Sequence, residues 1–237
     1  MGYQAGYSNT TGATNAFFGQ RAGYKTTTAS NNTVVGNSAL QENTTGGTNT
    51  AIGSSALLNN TTASNNTAVG YQAGYSNTTG GTNTALGDSS FFTNTTGYGN
   101  SSVGWESLYS NTTGSLNVAL GRQSLRSNTT ASSNTAVGYR AGYSNSTGEF
   151  NVGLGRAALY FNTTGYYNNA VGYQALYDNT TGESNVAVGT QALANNTTAH
   201  NNSALGYQAL HFNTTGANNT ALDRDWETTA TFDSPVV

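Results

Sequence analysis

A glycine that follows an apolar residue recurs at Gly2, Gly19, Gly36, Gly53, Gly70, Gly87, Gly104, Gly121, Gly138, Gly155, Gly172, Gly189 and Gly206, each 17 residues after the last. No insertion interrupts the series. Written from its asparagine, the repeat reads N-T-A-[VIL]-G-x-x-[AS]-[LG]-x-x-N-T-T-[GA]-x-x, as in Asn66–Gly80, and it spans residues 1–222. A period this short and strict leaves one architecture open: each copy is a supersecondary unit that cannot bury its own apolar face and must stack on its neighbours.

Within one copy, Asn185-Val186-Ala187-Val188-Gly189 alternates larger and small residues with a period of two, which reads as a strand; no 3.6-residue stripe is present. The segment after the glycine, such as Tyr173–Tyr177, reads as a second short strand. The Asn-Thr-Thr-Gly that follows reads as a corner, because Asn and Gly tolerate positive φ and Asn and Thr side chains close local hydrogen bonds. The expected fold is therefore all-β: a parallel β-solenoid, or β-roll, of thirteen 17-residue repeats. Seventeen residues at about 3.3 Å give a coil with a perimeter of roughly 55 Å, and thirteen rungs at about 4.8 Å make a rod roughly 60 Å tall.

Two columns are expected to fill the core: the Val, Ile or Leu before each glycine, where Met1 and Phe18 are the exceptions, and the Ala or Ser three residues after it. Leu occupies the next position in many repeats, from Leu40 to Leu210. Gly6, Gly23, Gly74 and Gly142 replace it in others, and each is followed by Tyr, which is expected to cover the space the glycine leaves. Such a core is thin. Two or three aliphatic side chains per rung contribute about 1.5–3 kcal/mol each, against about 1–2 kcal/mol of ordering entropy for every residue of the rung. Association of copies around a shared apolar seam is therefore expected, as a homo-oligomer with three chains favoured, or as end-to-end stacking.

A longer period of 68 residues lies over the first, since residues 66–133 align with residues 134–201, as duplication of a four-repeat block would leave them. The chain opens in mid-repeat, as a fragment of a longer protein would. At the other end, Asp223-Arg224-Asp225-Trp226-Glu227 breaks the pattern and residues 223–237 form a non-repeat tail or cap carrying four of the ten acidic residues.

Composition narrows the function. Only 7% of residues are charged and 35% hydrophobic, and the net charge is −3 with seven basic residues scattered along the chain. That excludes a basic stripe of the kind that binds nucleic acid, and no apolar run is long enough to insert in a membrane. There is no cysteine. His200 and His211 stand at variable positions without a repeated carboxylate beside them, and acidic residues recur at no fixed place in the rung, so no catalytic group, metal site or cofactor is expected.

The candidate ligand-binding surface is aromatic. One position after the glycine stand Tyr3, Tyr71, Trp105, Tyr139, Tyr173 and Tyr207; five after it stand Tyr7, Tyr24, Tyr75, Tyr109, Tyr143, Tyr160 and Tyr177. These rings are expected either to stack on sugars of a surface polysaccharide or receptor, or to pack across rungs and subunits. Asn-Thr-Thr also meets the acceptor pattern for N-glycosylation, although a turn role suffices. A regular Thr ladder raises ice binding as a minor alternative.

Asn-Thr-Ala-Val-Gly followed by x-x-Ala resembles the head repeat of trimeric autotransporter adhesins, whose S-V-A-I-G-like strand recurs at a shorter period. That resemblance implies a left-handed parallel β-roll, packing of three rolls, and attachment of cells to surfaces. The Asn-Thr-Thr-Gly corner is where this chain carries its extra residues. Similar N-T-A-[VIL]-G and N-T-T-G repeats are found in phage tail fibres that end in a self-cleaving chaperone, a domain with no counterpart in this sequence. The resemblance implies a non-enzymatic attachment fibre at a cell surface or on a virion; an extracellular filament protein with no receptor is the alternative.

Overall fold

Three residues of each repeat, the threonine, alanine and aliphatic residue before the glycine, form a strand, and the thirteen strands β1 (Ala16–Phe18) through β13 (Thr220–Leu222) pair in sequence order into one parallel sheet. The computed structural model describes residues 2–223; the sequence expectations for Met1 and for the tail from Arg224 onward lie outside them. Register is fixed at one repeat per rung: in β4 (Thr67–Val69) and β5 (Thr84–Leu86), Thr67 pairs with Thr84, Ala68 with Ala85 and Val69 with Leu86. The expected β-solenoid is the fold observed.

Each rung has one strand, where the sequence pointed to two. After Gly70 the chain runs through overlapping turns, in which Ala73, Tyr75 and Asn77 donate their N–H groups to the carbonyls of Gly70, Gln72 and Gly74. The intervening N–H groups leave the rung. Gln72 donates back to Ser54, while Gly74 and Ser76 donate forward to Ser90 and Phe92 at 2.9 and 3.0 Å. This alternation requires positive φ two and four residues after the glycine, and bulky residues adopt it: Leu57, Leu108 and Leu176 lie at +50°, +47° and +50°. A leucine avoids that region on its own. Here its N–H is bonded to the next rung and its side chain is buried, so stacking overrides local preference.

The glycine itself has no substitute. At Gly121 φ is +133°, and a Cβ would stand 2.5 Å from the carbonyl oxygen of Gly138 in the next rung. Backbones approach too closely at this corner for any side chain.

The phase of the strand corrects the expected core. Its middle residue points inward: Ala51, Ala68, Ala119, Ala170 and Ala187 are fully buried. The aliphatic residue before the glycine faces out, with Ile52 38% and Leu205 52% exposed. The second expected core column is correct, since Ala39, Ala73, Ala175 and Ala192 are fully buried, and so are Leu40, Leu108, Leu176 and Leu193 beside them. A 17-residue coil is narrow. It holds a leucine from the turn side where the strand side contributes a small residue, most often alanine and at its largest Val34 beside Leu40, and the aliphatic residue before the glycine is left outside.

Bulk and space trade places along the rod. Phe17 takes the alanine position of its rung and lies over both Gly6 and Gly23, where a Cβ would come within 2.7 and 2.2 Å of its ring. Leu57 fills the space over Gly74, and Leu125 that over Gly142. Side chains from the same rung or a neighbouring one thus cover these glycines, a role the sequence had assigned to the following tyrosines. Where Gly142 meets Gly153, which stands in the alanine column, a cavity of about 10 Å³ remains among Leu125, Ala136 and Leu159.

Two asparagine columns complete the interior. The first, Asn15 through Asn219, precedes each strand. Its Oδ1 accepts the backbone N–H of the next asparagine in the column at every step. The second is the asparagine of Asn-Thr-Thr. From Asn60 to Asn213 each Nδ2 donates to Oδ1 of the asparagine one rung back, for example Asn77 to Asn60 at 2.9 Å and Asn111 to Asn94 at 2.8 Å. The two columns meet at one carbonyl: Asn49 and Asn60 both donate to Ala63, at 2.9 and 3.0 Å. Buried amides are tolerable because nearly all spend their donors and acceptor within the stack, Asn66 Nδ2 being a buried donor without a partner. Thr26 breaks the second column, and its buried hydroxyl has no hydrogen-bond partner.

Candidate functional site

Because the period equals one rung, any residue type that recurs at one place becomes a vertical ladder. Five residues after the glycine, Tyr75, Phe92 and Tyr109 stack with centroids 5.1 Å apart, and Tyr143, Tyr160 and Tyr177 stack at 5.1 and 5.2 Å. Arg126 fills the rung between the two stacks, its guanidinium 5.1 Å from the Tyr109 centroid and 5.9 Å from that of Tyr143. Tyr7 and Tyr24 form a separate pair at 5.4 Å. Rings stacked in this way cover one another's faces and leave edges outward. Of the site residues expected from sequence, Tyr75, Tyr143 and Tyr177 therefore belong to ladders that stabilise the rod. Phe92 and Arg126 were missed because the column was read as tyrosine; their place in the same period was the available signal.

One residue after the glycine the arrangement differs. Trp105, Tyr139 and Tyr173 stand two rungs apart, and the rungs between them carry Arg122 and Arg156. Arg122 lies 4.5 Å from the Trp105 ring centroid and 5.8 Å from that of Tyr139; Arg156 lies 5.9 Å from Tyr139 and 5.6 Å from Tyr173. Arg140 bridges this ladder to the inner one, 5.1 Å from Tyr139 and 5.3 Å from Tyr143. Tyr71 and Tyr207 lie in the same column, 53% and 57% exposed, outside the arginine-spaced run. The structure thus brings Trp105, Tyr139 and Tyr173 together with three arginines on one continuous face.

Charge on that face is only partly compensated. Arg126 donates through Nε to Glu106 Oε2 at 2.8 Å, and Gln123 donates to the same oxygen at 2.9 Å. Partial burial works to raise the Glu106 carboxyl, but these hydrogen bonds and the Arg126 and Arg122 charges outweigh it and hold the group below the usual carboxylate range. Arg140 donates to Gln123 Oε1 at 2.8 Å. Arg122 and Arg156 are exposed, and their guanidinium groups make neither a hydrogen bond nor an ion pair among the described residues.

A second aromatic cluster escaped the sequence reading. Phe150 and Tyr167 stack at 5.1 Å and Tyr166 meets Tyr167 edge-on; with Thr147 and Glu149 they line an open hollow of about 240 Å³. Glu149, Phe150, Tyr166 and Tyr167 fill the two variable positions before the asparagine of the strand, where no motif recurs. The histidines are not paired into a site: His200 is exposed, and His211 packs on Phe212 with Nδ1 3.2 Å from the Gln191 carbonyl oxygen. Among the described residues no group of three or more His, Cys, Asp or Glu could hold a metal ion, and no helix is long and apolar enough to cross a membrane.

The Asn-Thr-Thr elements are turned inward. Asn60, Asn111 and Asn179 are fully buried, so a glycan on Nδ2 would require breaking two hydrogen bonds of the interior ladder. The first threonine donates its hydroxyl to the matching carbonyl of the next rung, as Thr78 does to Thr95 at 2.9 Å. No family model, no curated protein and no solved structure matches the chain, so its functional reading rests on this geometry.

Proposed function

We propose that the chain is a non-enzymatic attachment fibre at a cell surface or on a virion: a rigid rod that binds surface glycan through its outer aromatic face and packs against copies of itself through its strand face. The observation that supports it most directly is the outer column of Trp105, Tyr139 and Tyr173, rings held at a fixed two-rung spacing on a stacked scaffold. Sugars present apolar ring faces and hydroxyls, and Tyr and Trp offer an apolar body with a polar tip. Glycan-array binding by the intact protein, compared with the Tyr71→Ala, Tyr139→Ala, Tyr173→Ala triple variant, tests it. Binding is expected to fall in the variant, and equal binding would sink the aromatic role.

Self-association follows from the aliphatic residues that the strand turns outward. Val35, Ile52, Leu120, Val171 and Leu205 stand in one column on a single sheet, each 37–52% exposed. A strip roughly 60 Å tall and about 15 Å wide offers on the order of 900 Å² per copy, comparable with the roughly 800 Å² per partner of a stable interface. The occupant is a second copy, because its own strip has the same rung spacing. Three copies around one axis is the arrangement the resemblance implies. Sedimentation of the Ile52→Asp, Leu120→Asp double variant, with circular dichroism to show that the rung fold persists, should give monomers where the parent chain gives oligomers. A monomeric parent would remove this part of the proposal.

A further inference from the structure

We infer that the ladder from Trp105 to Tyr173 recognises an acidic polysaccharide, its arginines taking sugar carboxylates and its rings taking sugar faces. This inference rests on the attachment reading above and specifies the ligand class.

Four of the chain's seven basic residues, Arg122, Arg126, Arg140 and Arg156, fall within three consecutive repeats, in a protein that carries only 7% charged residues. Of these, Arg126 is held by Glu106 and completes the inner ladder. The remaining three have no carboxylate within ion-pair distance among the described residues. Each lies against aromatic rings, Arg122 between Trp105 and Tyr139, Arg156 between Tyr139 and Tyr173, and Arg140 between Tyr139 and Tyr143. Ring contacts on both sides of a guanidinium hold the fork in place before a ligand arrives. A planar fork with free N–H groups matches a carboxylate in bidentate geometry.

Spacing favours a chain ligand over a single anion. Arg122 and Arg156 are two rungs apart, roughly 9.6 Å, with Tyr139 between them. Cation, ring, cation therefore alternate along the rod, as carboxylate and pyranose face alternate along a linear glycan that bears an acid on every second sugar. Glu106, whose charge faces Arg122 as well as Arg126, bounds the cationic run on one side, and Asp88 stands in the same column one rung before Trp105. The cationic stretch is thus confined to a few rungs.

The test is titration calorimetry of the full chain with three probes: hyaluronan oligosaccharides, dextran oligosaccharides of matched length, and oligo-dT. The proteins are the parent chain, the Arg122→Gln, Arg156→Gln double variant, the Arg122→Lys, Arg156→Lys variant, which keeps charge and loses the fork, and the Phe150→Ala, Tyr167→Ala variant. The hyaluronan probe is expected to bind the parent chain, with affinity about tenfold lower for the Lys variant and about a hundredfold lower for the Gln variant at unchanged melting temperature. Equal hyaluronan affinity in parent and Gln variant overturns the inference. Binding of dextran alone, lost instead on Phe150→Ala, Tyr167→Ala, overturns it while leaving the attachment reading standing. Preference for oligo-dT replaces the polysaccharide with a single-stranded nucleic acid. Absence of binding to any glycan removes both the inference and the attachment reading.

Discussion

The inside and the outside of this rod obey the same 17-residue period and respond to it in opposite ways. Inside, the alanine, leucine and two asparagine columns vary within narrow limits, and several exceptions are compensated by a facing residue, as Phe17 fills the space over Gly6 and Gly23. Outside, the column after the glycine runs Asp88, Trp105, Arg122, Tyr139, Arg156, Tyr173, Thr190 over consecutive rungs. An interior residue must satisfy the rung above and the rung below, so a change there propagates. An exterior residue touches its ladder neighbours and water, so the column can be rewritten locally without disturbing the coil. Contacts that sustain the coil thus run the length of the rod, and the proposed recognition face occupies only part of it.

Breaking the interior should have the largest effect. Gly121→Ala places a Cβ 2.5 Å from the Gly138 carbonyl oxygen at a φ of +133°. A loss of about 3–5 kcal/mol is expected, read as a shifted urea midpoint with amide exchange rising first in the flanking rungs. Next comes Asn111→Leu, which removes the donor to Asn94 and Gly114 and the acceptor of Asn128 Nδ2. Unsatisfied buried amide groups predict a cost of about 2–4 kcal/mol, whereas an exterior change in the same rungs, such as Arg122→Gln, should leave the midpoint in place.

Repairing the interior should sharpen the contrast with smaller gains. Thr26→Asn restores the missing member of the second asparagine column, replacing a buried hydroxyl without a partner. Stabilisation of about 1–2 kcal/mol is expected by urea titration. Tyr160→Ala opens the middle of the Tyr143–Tyr177 stack and should cost about 1 kcal/mol. Smallest is Gly153→Ala, which returns the column to its usual alanine. The new Cβ meets Leu159 Cδ1 and the Ala158 carbonyl oxygen at 3.4 Å, an ordinary contact beside the cavity, and a gain of about 0.5–1 kcal/mol should appear as a raised melting temperature.

The legibility of the site follows the same division. Trp105, Tyr139 and Tyr173 could be found from sequence because their rings recur at one place in the period. Arg122 and Arg156 could not, since an arginine at an irregular place in a column becomes meaningful only when the ring above and the ring below are known. Tyr75, Tyr143 and Tyr177 looked equivalent to the outer tyrosines, and only ring stacking separated the two columns. Phe150, Tyr166 and Tyr167 lay outside every motif.

What the sequence determined by itself was the period, and with it the parallel solenoid, the one-rung register and the glycine corner, because a strict repeat admits no other way to bury its face. Which side of the strand is interior was decided by tertiary structure. Alternation gives two phases, and nothing local distinguishes Ala68 from Val69; the side chains arriving from the turn side favour a small residue facing them, so Ala68 goes in and Val69 goes out. The same holds for the leucines with positive φ and for the buried amides of Asn66 and Asn77. Their local preferences point to other conformations or to the surface, and the hydrogen bonds between rungs that outweigh those preferences exist only once the rungs are stacked.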